Sequence, residues 1–465
     1  MNLLIHTEIP LRENDSNLLL GMQAAKIGFN VIIGTRQILY DLIKNDLVKT
    51  GIYHTKSITY NKKTSMFLKN IKKKNFIISV QDQEHGLLED DYSNFEKSRI
   101  KKQDFKLIDV WFCWGRKDYN YLINSKKFSS NEKKKIILKG SPRIELSKKN
   151  FRSLWNIKKR RKNITIVTNF CTYNGYLAAE KLIAKYKKLK FYKSNKNQLY
   201  LDLERLKYEK ILINDFSKLV IFLKKNFPKI NIIIRPHPAE NFYYWKKKFS
   251  NIKNIEIKNH ETINKSIFES FCIINNSCTS SLEAAYSEVP IINFVPKYYK
   301  SNYGYSVNRI GIKVKDFSEI SETIKKLNNN KFRNTQILKS KKFVEKNFFY
   351  KDNPLYSESE EISLYLKKLF YKSFDNSKSR FLNQRIIIYI FFKSLLKDVF
   401  ENVVLLLKNK RKKIKKMISY KINNLMYKDV KFKSMKIAEQ INFFNYHLKL
   451  INKKFIIIRN KNIIK

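Results

Sequence analysis

The chain has 465 residues, 43% hydrophobic and 14% aromatic, enough to bury more than one core and too much for disorder over the whole length. Its formal net charge is +55, yet Lys far outnumbers Arg and is spread through helices and linkers alike. Arg is the side chain that reads phosphates and bases through paired hydrogen bonds. A nucleic-acid partner is therefore disfavoured, and a general attraction to anionic sugars, nucleotides or lipids is expected.

Four scattered cysteines (Cys113, Cys171, Cys272, Cys278) form no CxxC pair, which argues against a disulfide framework and a zinc site. Charged Glu8 follows Met1 too closely for a signal-peptide apolar region, and no run of about 18 apolar residues is present. The expectation is a cytoplasmic protein without a spanning segment.

In chain order, Leu3–His6 reads as a strand, Asn17–Ile27 as a helix, and Asn30–Gly34, Phe76–Val80, Asp109–Trp114 and Ile136–Leu138 as further strands. Basic, aperiodic Ser147–Lys162 reads as an interdomain linker. A second cycle starts with strand Asn163–Val167 and a long amphipathic helix marked by Tyr208, Leu212, Phe216, Leu219 and Leu223. Strands Ile230–Ile234, Phe271–Ile274, Pro290–Phe294 and Ile310–Val314 follow, then a helix over Asp316–Leu327. Strands separated by helices imply parallel βαβ units. The fold class expected is α/β, with two Rossmann-like domains (residues 1–147 and 163–350) facing a cleft. The absent G-x-G-x-x-G argues against a dinucleotide dehydrogenase.

Residues 372–465 read as a basic, amphipathic, α-helical tail. Apolar side chains recur every four positions from Ile387 to Leu407 and again from Ile388 to Val404. Lys408–Lys416 then places seven basic residues among nine. An anionic membrane surface is one expected partner of this tail; packing on the protein, or a loose tail, are the alternatives.

Four segments carry candidate chemistry. Buried strand Ile232–Ile234 runs into Arg235-Pro236-His237-Pro238-Ala239-Glu240, at the end of a parallel strand where ligands are held. Arg235 and His237 suit a phosphate-bearing leaving group, His237 by donating a proton or by holding charge. The plainer reading is a rigid turn with a structural His. Asn276-Ser277-Cys278-Thr279-Ser280-Ser281-Leu282-Glu283 follows the next strand. Ser280 and Glu283 have capping-box spacing, and the same helix start is a ready anion site. Gln81-Asp82-Gln83-Glu84-His85-Gly86 offers Asp82 or Glu84 as a base for a hydroxyl, or is an ordinary polar loop. Glu8-Ile9-Pro10-Leu11-Arg12-Glu13-Asn14-Asp15 offers Glu8 and Arg12 as ligand contacts, or simply caps the next helix.

Arg235-Pro236-His237-Pro238 followed by Asn276–Glu283 resembles the bacterial surface carbohydrate biosynthesis protein family. So do Glu8…Arg12-Glu13-Asn14-Asp15, Trp114-Gly115, Gly140-Ser141-Pro142-Arg143 and Thr168-Asn169-Phe170. The resemblance spans residues 1 to 330 and leaves the tail uncovered. That family is similar to GT-B glycosyltransferases, including capsule polysialyltransferases and CDP-glycerol glycerophosphotransferases. The resemblance implies a nucleotide-activated sugar donor as substrate, a glycan or lipid-linked acceptor, and neither metal nor cofactor. It implies a leaving-phosphate role for His237-Pro238, and phosphate binding by Thr279, Ser280 and Ser281, with Arg235 and Ser277 beside them. The acidic motif departs from the family's pattern by one extra residue, so Asp82 and Glu84 both stay candidates for the base. Glu240 is a further candidate ligand contact. A sugar-nucleotide epimerase and a non-catalytic assembly component are the alternative functions.

Overall fold

A computed structural model describes residues 1–58, 62–83, 99–157, 163–175, 179–188, 196–259, 261–297, 306–348, 356–374, 380–381, 384–393, 396, 427–451 and 455–463. They fall into two compact units, one built from residues up to Trp155 and from Lys346 onward, the other from Asn156–Glu345.

The first unit opens with strands β1 (Asn2–His6), β2 (Asn30–Gly34), β3 (Val48–Lys49), β4 (Gly51–Thr55), β5 (Phe76–Val80), β6 (Val110–Cys113) and β7 (Ile136–Leu138). The second carries β8 (Asn163–Val167), β9 (Asn231–Arg235), β10 (Ile255–Ile257), β11 (Ser270–Asn275), β12 (Ile291–Phe294) and β13 (Ile312–Val314). The chain then returns to the first unit with β14 (Arg380–Phe381), β15 (Tyr446–Ile451) and β16 (Phe455–Asn460).

The first sheet has the order β15-β16-β2-β1-β4-β5-β6-β7, parallel from β2 to β7, with β16 antiparallel to β2. The second has the order β10-β9-β8-β11-β12-β13 and is parallel throughout. Such strands are apolar on both faces because helices cover both. Leu3-Leu4-Ile5, Val31-Ile32-Ile33, Ile232-Ile233-Ile234 and Ile273-Ile274 are all buried. Leu4, Ile32, Ile78 and Trp111 belong to the first core, and Ile166, Ile234, Phe216 and Trp245 to the second.

Three expectations are corrected. The described part of residues 372–465 is not wholly α-helical: residues 384–393 are helical, but the helix over Tyr427–Ile441 leads into the β15–β16 hairpin, which extends the first sheet. That hairpin docks where Gly34 leaves room, since a Cβ there would lie 2.5 Å from a Phe455 ring carbon. The expected linker holds a 3₁₀ helix, Lys149–Trp155, with Phe151 and Leu154 buried. The first helix begins at Pro10, whose missing N–H suits a first turn, and not at Asn17, so Arg12–Asp15 lie within it. Lys408–Lys416 lies outside the described residues.

Candidate functional site

Strands β9 and β11 flank β8, and Val167 is in register with Arg235 on one side and Asn275 on the other. At about 5 Å per strand step, the loops after β8, β9 and β11 leave the same carboxyl edge side by side. This is the edge at which open α/β sheets bind ligands. The topology thus brings the Arg235–Glu240 and Ser277–Ser281 segments to one rim.

Arg235 is 5% exposed. Its Nη2 donates to the Glu261 carbonyl at 2.5 Å, while Nε and Nη1 are buried without an acceptor among the described residues. Burial pulls its pKa down to about 10 against the opposing charges of Glu261 and Glu283. Glu283 lies on the short helix after β11, so this guanidinium feels both segments. A buried cation with two N–H groups facing no protein acceptor is a donor set for an anion.

His237 is half-buried, and the Ala239 amide donates to its Nδ1 at 3.1 Å. An amide can only donate, so Nδ1 is the lone-pair nitrogen and the neutral ring carries its proton on Nε2. Cys171 Sγ lies 3.2 Å from the same Nδ1, and its thiol donates to Asn169 Oδ1 at 3.2 Å. Burial pushes the Cys171 thiol well above its usual range, which keeps it protonated.

Glu240 is 1% exposed and accepts from the His237 amide (3.0 Å), the Phe170 amide (3.2 Å), Thr168 Oγ1 (2.7 Å), Asn174 Nδ2 (3.3 Å) and Trp245 Nε1 (3.1 Å). Burial raises its pKa against these bonds. Both oxygens are engaged from within, so Glu240 fixes the backbone of His237 to the loop after β8.

In the second segment Ser280 is already helical and Thr279 takes the cap position without a side-chain cap bond, so the expected Ser280–Glu283 capping box does not form. Ser277 turns the chain at φ 52°, its amide donating to Asn308 Oδ1 at 2.7 Å and its hydroxyl to Asn276 Oδ1 at 2.9 Å. Ser281 Oγ donates to Asn275 Oδ1 (3.2 Å) and Asn293 Oδ1 (3.3 Å). Ser277 and Ser281 are thus tied to neighbouring asparagines. Thr279 is half-buried, and the buried Ser280 Oγ has no partner among the described residues.

In the first unit, Glu13 is 1% exposed and accepts from the Glu8 amide at 2.7 Å and the Ile9 amide at 3.1 Å. Arg12 (3.3 Å) and the buried Lys56 (3.0 Å) pair with it, and Lys56 also reaches Glu8 at 2.9 Å. Asp82 is fully buried, and Arg99 Nε and Nη2 both lie 3.0 Å from its Oδ2. Gln81 Nε2 donates to the Gly140 carbonyl at 2.7 Å, and Arg143 stacks over the Trp114 ring. Glu84 lies outside the described residues. Buried His6 and His54 are held neutral, their pKa values lowered by burial to about 3 and about 4. The sequence reading missed Lys56, Arg99, Cys171 and Asn308, whose partners lie far along the chain. No group of three or more His, Cys, Asp or Glu among the described residues is arranged to hold a metal ion.

No protein-family model matches the sequence, and no curated protein matches it significantly. The solved wall teichoic acid polymerase TagF soaked with CDPG superposes with a TM-score of 0.51 at 12% identity, over 80% of this chain and 89% of that one. The S. aureus MnaA–UDP co-structure gives a TM-score of 0.48 at 13% identity over 80% of this chain and 96% of that one. The Neisseria meningitidis UDP-GlcNAc 2-epimerase bound to UDP-GlcNAc gives 0.46 at 11%, over 80% and 100%. Both of these scores fall below 0.5, so the likeness of fold rests on the polymerase. This chain has the GT-B-type architecture, two Rossmann-like units built on parallel sheets, that it shares with that polymerase.

Proposed function

We propose that this chain is a transferase of surface-polysaccharide biosynthesis, moving a sugar or a polyol phosphate from a nucleotide-activated donor to a glycan or lipid-linked acceptor. The observation that carries this reading is the buried Arg235 at the carboxyl edge of the second sheet, whose Nε and Nη1 meet no acceptor among the described residues. A donor phosphate is the anion that would satisfy them, with Thr279 and the Ser280 hydroxyl as further donors. The polymerase of like fold was soaked with CDPG, which accords with a nucleotide-linked donor here.

Charge develops on the bridging oxygen as the donor bond breaks. His237 meets it as a neutral ring: with Nδ1 occupied by the Ala239 amide, Nε2–H donates a hydrogen bond to the departing phosphate. Giving up that proton would leave an imidazolate, so holding charge is favoured over full proton transfer. In the first unit Asp82 is engaged by Arg99, whose Nε and Nη2 both lie 3.0 Å from its Oδ2. Deprotonation of the acceptor hydroxyl then falls to Glu84. The reading calls for no resident cofactor, since the activated sugar is itself a substrate.

The test is a screen of CMP-, CDP-, UDP- and GDP-activated donors for binding and for acceptor-dependent release of nucleotide. Turnover that needs an acceptor supports the reading. Epimerisation of a donor without acceptor, or no binding of any donor by the folded chain, would overturn it.

A further inference from the structure

Cys171 stands beside His237 because two buried carboxylates fix the residues on either side of it. Glu240 accepts from the Phe170 amide at 3.2 Å and, on the other loop, from the His237 amide at 3.0 Å. Glu209, on the helix Lys196–Asn226, accepts from the Thr172 amide at 2.7 Å and the Tyr173 amide at 2.9 Å. The turn closes with the Asn174 amide donating to the Phe170 carbonyl at 2.7 Å. Gly175 allows the closure, since a Cβ there would lie 2.5 Å from the Cys171 carbonyl oxygen. Held in this way, Cys171 Sγ lies 3.2 Å from both His237 Nδ1 and Asn169 Oδ1. The thiol has one hydrogen for these two acceptors. Burial, with the charges of Glu209 and Glu240, keeps that hydrogen on the sulfur.

We propose that Cys171 is a positioning residue for His237, its thiol hydrogen shared between Asn169 Oδ1 and His237 Nδ1. Nδ1 already accepts from the Ala239 amide at 3.1 Å, so it carries no proton, and the thiol is a second donor to the same nitrogen. Two donors from different loops fix the orientation of the ring as well as its tautomer. As Nε2–H is drawn toward a departing phosphate, electron density grows on Nδ1, and the thiol hydrogen turns from Asn169 to meet it. No covalent bond to hydrogen breaks, so the step needs no co-reactant. A carboxylate in place of the thiol would draw a proton onto Nδ1, against the Ala239 N–H; a neutral, weak donor avoids that conflict. The proposal rests on the transferase reading for the use of Cys171 in turnover, and on the geometry alone for the state of the ring.

The test uses the full chain, isotope-labelled at the ring nitrogens of its six histidines and read by nuclear magnetic resonance at mildly alkaline pH, with His237→Gln assigning the His237 signals. Nδ1 is expected unprotonated, its resonance upfield of a lone pair that no donor meets. Cys171→Ala should move it downfield. Cys171→Ser, which keeps a hydrogen to donate, should bring it partway back at unchanged circular dichroism. With a donor that the chain turns over, Cys171→Ala should lower kcat roughly fivefold to tenfold, the worth of one modest hydrogen bond, with KM little changed. Cys171→Ser should recover most of that loss. A wild-type ring protonated at Nδ1, an Nδ1 signal unmoved in Cys171→Ala, or full turnover by Cys171→Ala would overturn the proposal. So would Cys171→Ser behaving as Cys171→Ala in both measurements. A chain inert toward every donor would sink the transferase reading instead, and the ring signals would still decide the place of Cys171.

Discussion

Two acids share a buried pocket where the returning chain meets the first unit, and they make its stability depend on pH. Glu145 and Glu358 are each 1% exposed. Ser357 Oγ donates to Glu145 at 2.6 Å and the Ser359 amide at 2.7 Å; Lys148 Nζ donates to Glu358 at 2.7 Å and to the Tyr356 carbonyl at 3.0 Å. Burial raises both carboxyls, and the charge of Glu145 lifts Glu358 further, to about 8, against the pull of Lys148. A folded-state pKa above the unfolded value near 4.5 means that the folded chain holds a proton the unfolded chain has lost. The contribution is complete below that lower value and disappears as pH rises through about 8. Each pH unit within the window is worth about 1.4 kcal/mol, so the loss amounts to a few kcal/mol and at most about 5. Glu358→Gln keeps an oxygen for Lys148 and removes the titration. Thermal unfolding at a series of pH values checks this. Wild type should lose about 5–10 °C relative to Glu358→Gln between mildly acidic and alkaline pH. Parallel curves for the two proteins, or wild type gaining on the variant as pH rises, would refute the reasoning.

Further predictions concern the site and the docked hairpin. His237→Ala should lower turnover roughly a hundredfold at unchanged folding, whereas His237→Gln, which keeps an N–H donor, should retain more. Glu84→Gln should reduce turnover far more than Asp82→Asn, while Asp82→Asn, which uncouples Arg99, should lower the melting temperature; the reverse pattern in steady-state kinetics would assign the base to Asp82. Gly34→Ala should destabilise by about 1–3 kcal/mol through its clash with Phe455, and Phe455→Ala in the same chain should recover part of that loss in urea unfolding.

Most of the central strands were legible because burial on both faces writes them as unbroken apolar runs, as in Ile232–Ile234 and Ile273–Ile274. β4 was missed because Gly51-Ile52-Tyr53-His54-Thr55 breaks that pattern: two of its polar side chains are satisfied by the flanking strands, with His54 Nδ1 2.9 Å from Ser79 Oγ and His6 Nδ1 3.2 Å from Thr55 Oγ1. β10 pairs only with β9, so its exposed Glu256 interrupts the run. The hairpin left a visible trace, the alternation of Tyr446, Leu448 and Leu450 with His447 and Lys449. The absence of Gly and Pro outweighed it. Its partner strand β2 lies more than four hundred residues earlier, beyond the reach of any local pattern.

The same distance explains why the candidate site was legible in position and not in role. A strand end followed by Arg and His marks a rim, but the state of a carboxylate there depends on donors from elsewhere. This chain has 40 acidic residues against 95 basic ones, and its buried acids collect donors. Glu240 accepts from two loops and from Trp245 on the helix Phe242–Phe249. Glu209 accepts from the Thr172 amide and hydroxyl, the Tyr173 amide and Arg205. Asp118 accepts from the Trp114 and Gly115 amides, Glu13 from Lys56 and two amides, and Asp82 from Arg99. Each would read from sequence as a base or a ligand contact, and each is consumed in holding a loop. A group left over for a ligand has the opposite character: the two N–H groups of Arg235 and the hydroxyl of Ser280, buried without a partner among the described residues, can all donate. On the transferase reading proposed above, a rim whose acids face inward and whose buried donors meet no partner among the described residues suits an anion.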